Sequence, residues 1–302
     1  MLIYYLFIKP LSLLPLRVSF VLSDFLYLIL YYVLRYRREV VFTNLRNSFP
    51  EKSAREIKDI ARKFYRHFCD LSIESIHNFS ISRKELVARC KLRNPEVLEK
   101  FYREGKSIII ASGHYNNWEL AALAFDLQTS HRGVGIYKPL RNPYLDRKLR
   151  QSRGKYGLEL VPKDQTKAFF AENGHRLTAP MLATDQSPSK SINVYWTQFL
   201  NQDTAVLFGT EKYSKEFDYP VVYGHIYKIR RGYYEMVFEI VEDTPTEAPY
   251  GAITEKHTRV LEKDILEAPQ YWLWTHKRWK RKRPAEPNPA SSQGQSSAKP
   301  GR

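Results

Sequence analysis

The residues best suited to chemistry in this chain are His114 and Glu119, in the segment SGHYNNWEL. On one continuous helix, residues five apart would stand about 140° from each other. They would share no face. They can converge only if His114 lies in a turn and Glu119 in the first turn of the helix that follows. The surroundings supply that context: an apolar run SIIIAS (107–112), then Gly113, His114 and two asparagines, then the helical pattern WELAALAFDLQ. A neutral imidazole at such a turn can take a proton from a hydroxyl near neutral pH. A carboxylate beside it fixes the tautomer and stabilises the imidazolium that forms. A zinc site is the weaker reading, because the motif is not His-Glu-x-x-His and no third ligand follows at a metal-like spacing. The plain alternative is a strand-end histidine and a helix-capping glutamate.

The elements that must position this pair are readable on both sides. SIIIAS, VGIY (134–137), RLTAPMLATD (176–185), INVYWTQF (192–199), YPVVYGHIYKI (219–229) and YYEMVFEIVE (233–242) read as strands. AVLFGTEKYSKEF (205–217) reads as a helix between them. Strands interleaved with helices predict an α/β fold, a mixed central sheet flanked by helices. The first 104 residues contain no glycine, which suits helices. Among them, SAREIKDIARKFYRHF opens on Ser53 with Glu56 three residues later, a capping box. Ile57, Ile60, Ala61, Phe64 and Phe68 then recur at helical spacing.

Residues 1–34 are dominated by Leu, Tyr, Phe, Ile and Val. The densest run, Val18 to Leu34, would be about 25 Å long as a helix, against a bilayer core of about 30 Å. Asp24 inside it would be costly in lipid, and Pro10, Pro15 and Arg17 interrupt the stretch before it. The segment reads as a hydrophobic helical membrane anchor, either thinly spanning or lying in the interface. Arg35, Arg37 and Arg38 follow it, which puts the body of the chain in the cytoplasm. The expected organisation is an anchor over 1–38, a catalytic domain over 39–283 and a disordered tail over 284–302, rich in Pro, Ser, Gly and Gln.

The chain has 302 residues, a formal net charge of +16 and a pI near 9.6, which favours anionic partners. The run KRWKRKR (277–283), with Trp272, Trp274 and Trp279 around it, suits a membrane interface, with aromatics at headgroup depth and cations on phosphates. The same composition also serves nucleic acids; the apolar anchor favours lipid. Cys69 and Cys90 form no Cys-x-x-Cys pair and read as buried apolar residues.

With these residues in view, SGHYNNWE resembles the His-x4-acid block of the lipid A biosynthesis lauroyl/myristoyl acyltransferase family, within the wider glycerolipid acyltransferase superfamily. Other blocks match in the same order: NLRNSFPEKS (44–53), YKPLRNPYLDRKLRQSRGKYG (137–157), LATDQS (182–187) and APQYWLWTHKRWK (268–280). The resemblance covers roughly residues 10–283. One departure is Asn116, where the family usually has glycine; a side chain there would narrow the approach to the base.

The resemblance implies an inner-membrane acyltransferase. It would move a fatty acyl group from an acyl carrier protein thioester to a hydroxyl of a lipid A precursor, with no metal or redox cofactor. His114 would be the general base and Glu119 its partner. Arg153 would bind the acid or a donor phosphate. Asp185 and Gln186 would line the cleft, and Asn117 and Trp118 would shape its entrance. Other readings are acylation of a lysophospholipid or aminolipid, thioester hydrolysis, and a non-catalytic protein of the membrane surface or of nucleic acid.

Overall fold

The computed structural model describes residues 2–172, 176–189 and 194–284. Nine strands are found among them: β1 (Cys90–Leu92), β2 (Ile109–Ser112), β3 (Arg132–Tyr137), β4 (Glu159–Pro162), β5 (Thr178–Ala183), β6 (Val194–Phe199), β7 (Gln202–Leu207), β8 (Val221–Arg230) and β9 (Tyr233–Glu242). Seven form one sheet in the order β1-β9-β8-β2-β5-β3-β4, and β6 and β7 pair separately as a hairpin. Neighbours in the large sheet are parallel except β8 and β9. The mixed α/β architecture is as expected.

The middle strand β2 explains why its residues are apolar without alternation. Ile109 and Ala111 face one core, with Val221, Tyr223, Phe64 and Trp272. Ile108 and Ile110 face the other, with Leu120, Phe125, Val222 and Met236. A parallel strand covered on both sides needs apolar residues at every position. Cys69 and Cys90 are buried, and burial pushes each thiol up to about 12. Neither is a nucleophile at neutral pH.

The helix Ala54–His77 begins at the expected capping box, with Ser53 N donating to Glu56 Oε2 at 2.8 Å. Ile57, Ile60, Ala61 and Phe64 are buried as predicted. One expectation fails at Ala205–Leu207. These residues pair with Val194–Trp196 in the hairpin, and the helix begins only at Gly209. An apolar triplet of this length fits either state, and its pairing partner decides.

The N-terminal apolar segment is helical over Leu16–Leu28 and continues into a π-helical turn, Ile29–Val33. It is long and apolar enough to cross a membrane. Its polarity is inverted relative to an ordinary surface helix. Ser19, Ser23, Tyr27 and Tyr31 are buried toward the body, while Val21, Phe25 and Val33 are 67%, 63% and 72% exposed. Asp24 has a local partner. Arg231 donates to both its oxygens and also to Asp70, while Ser23 Oγ donates to Asp70 at 2.7 Å. The carboxylate thus ties the helix to the β8–β9 turn, which lowers the cost foreseen for a bare charge in lipid.

Trp272 and Trp274 are 2% and 0% exposed. They belong to the core, and Trp279 packs against it. The tryptophans around the basic run therefore do not form the interfacial belt that composition suggested. The tail lies outside the described residues from 285 onward, as do residues 192 and 193 of the predicted strand.

Candidate active site

The centre of the site follows from strand register. In the parallel pair β2–β5, Ser112 stands opposite Ala183. Two residues further along each strand come His114 and Asp185, so equal offsets bring them side by side at the carboxyl ends of adjacent parallel strands. This is where open α/β sheets place their ligands. His114 Nδ1 lies 2.7 Å from Asp185 Oδ1, and His114 N donates to Asp185 Oδ2 at 2.8 Å. Trp272 Nε1 donates to the same Oδ2 at 2.8 Å. Just before the histidine, a Cβ at Gly113 would come within 2.7 Å of Leu261 Cδ1, so the leucine side chain would have to shift.

Three donors hold Asp185, whose side chain is 2% exposed. Burial pushes its carboxyl up, but the His114 charge, the hydrogen bonds from His114 and the Trp272 indole outweigh it and bring Asp185 to about 2. Burial pulls His114 down. The charge and hydrogen bond of Asp185, with a smaller contribution from Glu119, more than reverse this and leave His114 above its ordinary value. The neutral imidazole donates through Nδ1–H to Asp185, which leaves the Nε2 lone pair as the proton acceptor. Nε2 stands 3.1 Å from Gln186 Nε2, and the His114 side chain retains 20% exposure. Trp118 meets the imidazole edge to face, with ring centroids 5.0 Å apart.

The sequence favours Glu119 as the partner of His114, but the carboxylate in hydrogen-bond contact with the imidazole is Asp185. Glu119 sits in the first turn of the helix Trp118–Phe125. Both its oxygens face Arg153: Nε donates to Oε2 at 2.8 Å and Nη2 donates to Oε1. Arg153 comes from the last turn of the helix Pro143–Gly154. Arg153 is thus tied to Glu119 in a two-point pair near His114.

Asn117 has a different position from that expected. It is 2% exposed. Its Oδ1 caps the helix by accepting from Leu120 N at 2.9 Å, and its Nδ2 donates to Glu74 Oε2 at 2.6 Å. Glu74 in turn pairs with buried Arg89 at 2.9 Å. Asn117 anchors the helix from below and does not line an entrance. Asn116 has φ +52°, in the left-handed region, where glycine is the easy choice and asparagine the next. Its Nδ2 donates to Ile226 O at 2.6 Å, so its side chain turns away from His114 and does not narrow the approach to it.

Two contributors escaped the sequence reading. Trp272 is the third donor to Asp185. His276 Nε2 accepts from Ser187 N at 2.9 Å, next to Gln186, and burial drops its pKa to about 4. Both lie in the closing block, whose order of aromatic and basic residues was visible while its inward direction was not.

No three His, Cys, Asp or Glu side chains gather as a metal site among the described residues. What the histidine–carboxylate pair can do is draw a proton from a hydroxyl as its oxygen attacks, the work of a group-transfer enzyme of the acid–base kind. Comparison with known proteins supplies the group that moves. The chain belongs to the bacterial lipid A biosynthesis acyltransferase family, which it matches over residues 1–281. It is similar to a lipid A biosynthesis acyltransferase of Haemophilus influenzae, at 23% identity over 260 residues, covering 84% of this chain and 80% of that protein. It is an acyltransferase of lipid A biosynthesis.

Proposed function

We propose that this enzyme transfers a fatty acyl group from an acyl carrier protein thioester to a hydroxyl of a lipid A precursor, with His114 as general base and Asp185 as the residue that orients it. The observation that carries the reading is the 2.7 Å contact of His114 Nδ1 with Asp185, which leaves Nε2 as the nitrogen that receives a proton once a hydroxyl takes the place of the Gln186 amide that now donates to it. The acceptor hydroxyl gives its proton to Nε2 while its oxygen attacks the thioester carbonyl. Asp185 stabilises the imidazolium so formed. The C–S bond then breaks, the proton returns to the leaving thiolate, and ester and free thiol depart. No acyl-enzyme intermediate is required.

Position and charge fit the two substrates. An apolar helix faces outward over Leu16–Val33 and is followed by Arg35, Arg37 and Arg38. This supports an inner-membrane location with the catalytic domain on the cytoplasmic side. A chain of net charge +16 attracts an acidic carrier protein by charge steering. The test is purified enzyme with labelled acyl carrier protein thioester and a lipid A precursor. Labelled lipid should form, and His114→Ala should abolish it. Release of free fatty acid at the same rate with no acceptor present would instead mark a thioesterase.

A further inference from the structure

The run from Lys277 to Arg283 holds six cations in seven positions. Five of them reach solvent. Arg278 does not, at 2% exposed. The backbone turns it inward through the 3-10 turn Arg278–Lys280, which Trp279 pins by donating from Nε1 to Thr204 Oγ1 at 2.7 Å. Among the described residues no carboxylate lies in ion-pair contact with the Arg278 guanidinium, and its Nε is buried without a hydrogen-bond partner. The nearby anion it feels is Asp185, whose oxygens already accept from His114 and Trp272.

A buried cation whose nearby anion is already engaged by His114 and Trp272 is expensive to keep. Burial pulls Arg278 down to about 10, partly offset by Asp185, so it stays charged at neutral pH. The position relates it to the reacting centre. His276 holds Ser187 N and Arg281 Nη1 donates to Ser189 O at 2.9 Å. The segment carrying Arg278 is therefore strapped along the loop that carries Asp185 and Gln186. What repays the cost is an anion that arrives with a substrate, and a planar guanidinium fork matches phosphate oxygens in particular.

We infer that Arg278 is the anchor of a phosphate-binding site beside the His114–Asp185 pair, which receives a phosphate ester group of one of the two substrates. The inference rests on the proposed acyl transfer and adds to it a residue that binds substrate. The phosphate belongs either to the arm that carries the donor thioester or to the acceptor lipid.

The test uses the full chain in detergent with Arg278→Gln and Arg278→Lys. KM is measured for donor and acceptor, each with and without its phosphate group. Arg278→Gln should raise KM about tenfold for the phosphorylated form of one substrate and leave that of its phosphate-free form unchanged, with a smaller rise for Arg278→Lys. The substrate affected identifies the source. Inorganic phosphate should also protect the wild type against thermal unfolding more than chloride of equal ionic strength does, and protect Arg278→Gln no better than chloride. That readout stands even if acyl transfer fails. Equal KM for the two forms of both substrates in the wild type would overturn the inference. So would a variant that shifts only the acid limb of the pH profile, since Arg278 would then act on Asp185 alone. If Arg278→Gln does not fold, Arg278→Lys and the phosphate protection of the wild type decide the matter by the same criteria.

Discussion

His114 and Asp185 are 71 residues apart in sequence and 2.7 Å apart in space, because each lies two positions beyond residues paired on adjacent parallel strands, Ser112 and Ala183. The sheet itself sets their separation. Each side chain needs only a short turn to reach the other, so the geometry rests on paired strands of the central sheet.

Asp185→Asn should lower kcat by about 10²–10⁴-fold. One amide oxygen cannot accept from His114 Nδ1, His114 N and Trp272 Nε1, which Asp185 satisfies with two oxygens. The acid limb of the pH profile should move as well. Because His114 stands above its ordinary value, and the base must be neutral to act, activity in the wild type should rise with pH through a value above about 6.5. Without the charge of Asp185, burial dominates and the limb should fall to lower pH. A kcat/KM profile of both proteins checks this, and an unmoved limb would remove His114 from the role of base.

The same pair makes a stability prediction with a defined window. Asp185 is depressed to about 2, so its contribution is present above the unfolded carboxylate value of about 3.9 and is lost as pH falls through the folded one. His114 is raised, so its contribution is complete below the unfolded value of about 6.5 and is lost as pH rises through the folded one. Stability gained from the pair should be greatest between these unfolded values. The difference in denaturation midpoint between the wild type and His114→Ala, measured from pH 4 to 9, should narrow at the alkaline end.

Glu119 and Arg153 act as a unit through a two-point ion pair. Glu119→Gln and Arg153→Gln should each reduce kcat/KM, and the double variant should lose little more than either single one, with a coupling of about 0.5–3 kcal/mol. Additive losses in the cycle would mean that the two residues serve separate steps.

The secondary structure around His114 is legible because an apolar run, a glycine and a helical pattern bound it. The partner of His114 is not. Closeness in sequence favours Glu119 and leaves Asp185 at the cleft wall, since strand register is a long-range property that neither local spacing nor composition encodes. Trp272 and Arg278 were hidden for a related reason. A basic, aromatic segment reads as surface until the fold turns single residues inward, as it does between exposed Lys277 and buried Arg278. In the N-terminal helix, the apolar character is plain, but the salt bridge that accepts Asp24 comes from Arg231, 207 residues away.

Asn116 offers a test of how backbone conformation constrains the turn that carries His114. At φ +52° an alanine would carry the Cβ cost of the left-handed region, about 1–2 kcal/mol, and would also lose the hydrogen bond to Ile226 O. Glycine loses that bond but removes the steric penalty. Asn116→Gly should therefore be the more stable of the two variants by about 1 kcal/mol and should keep the activity of the wild type, since the asparagine side chain points away from the base. Urea midpoints order the stabilities, and the acyl-transfer rate of Asn116→Gly reads the turn directly. A variant folded as well as the wild type but without activity would mean that the Asn116 amide, and not the backbone it permits, is what the reaction uses.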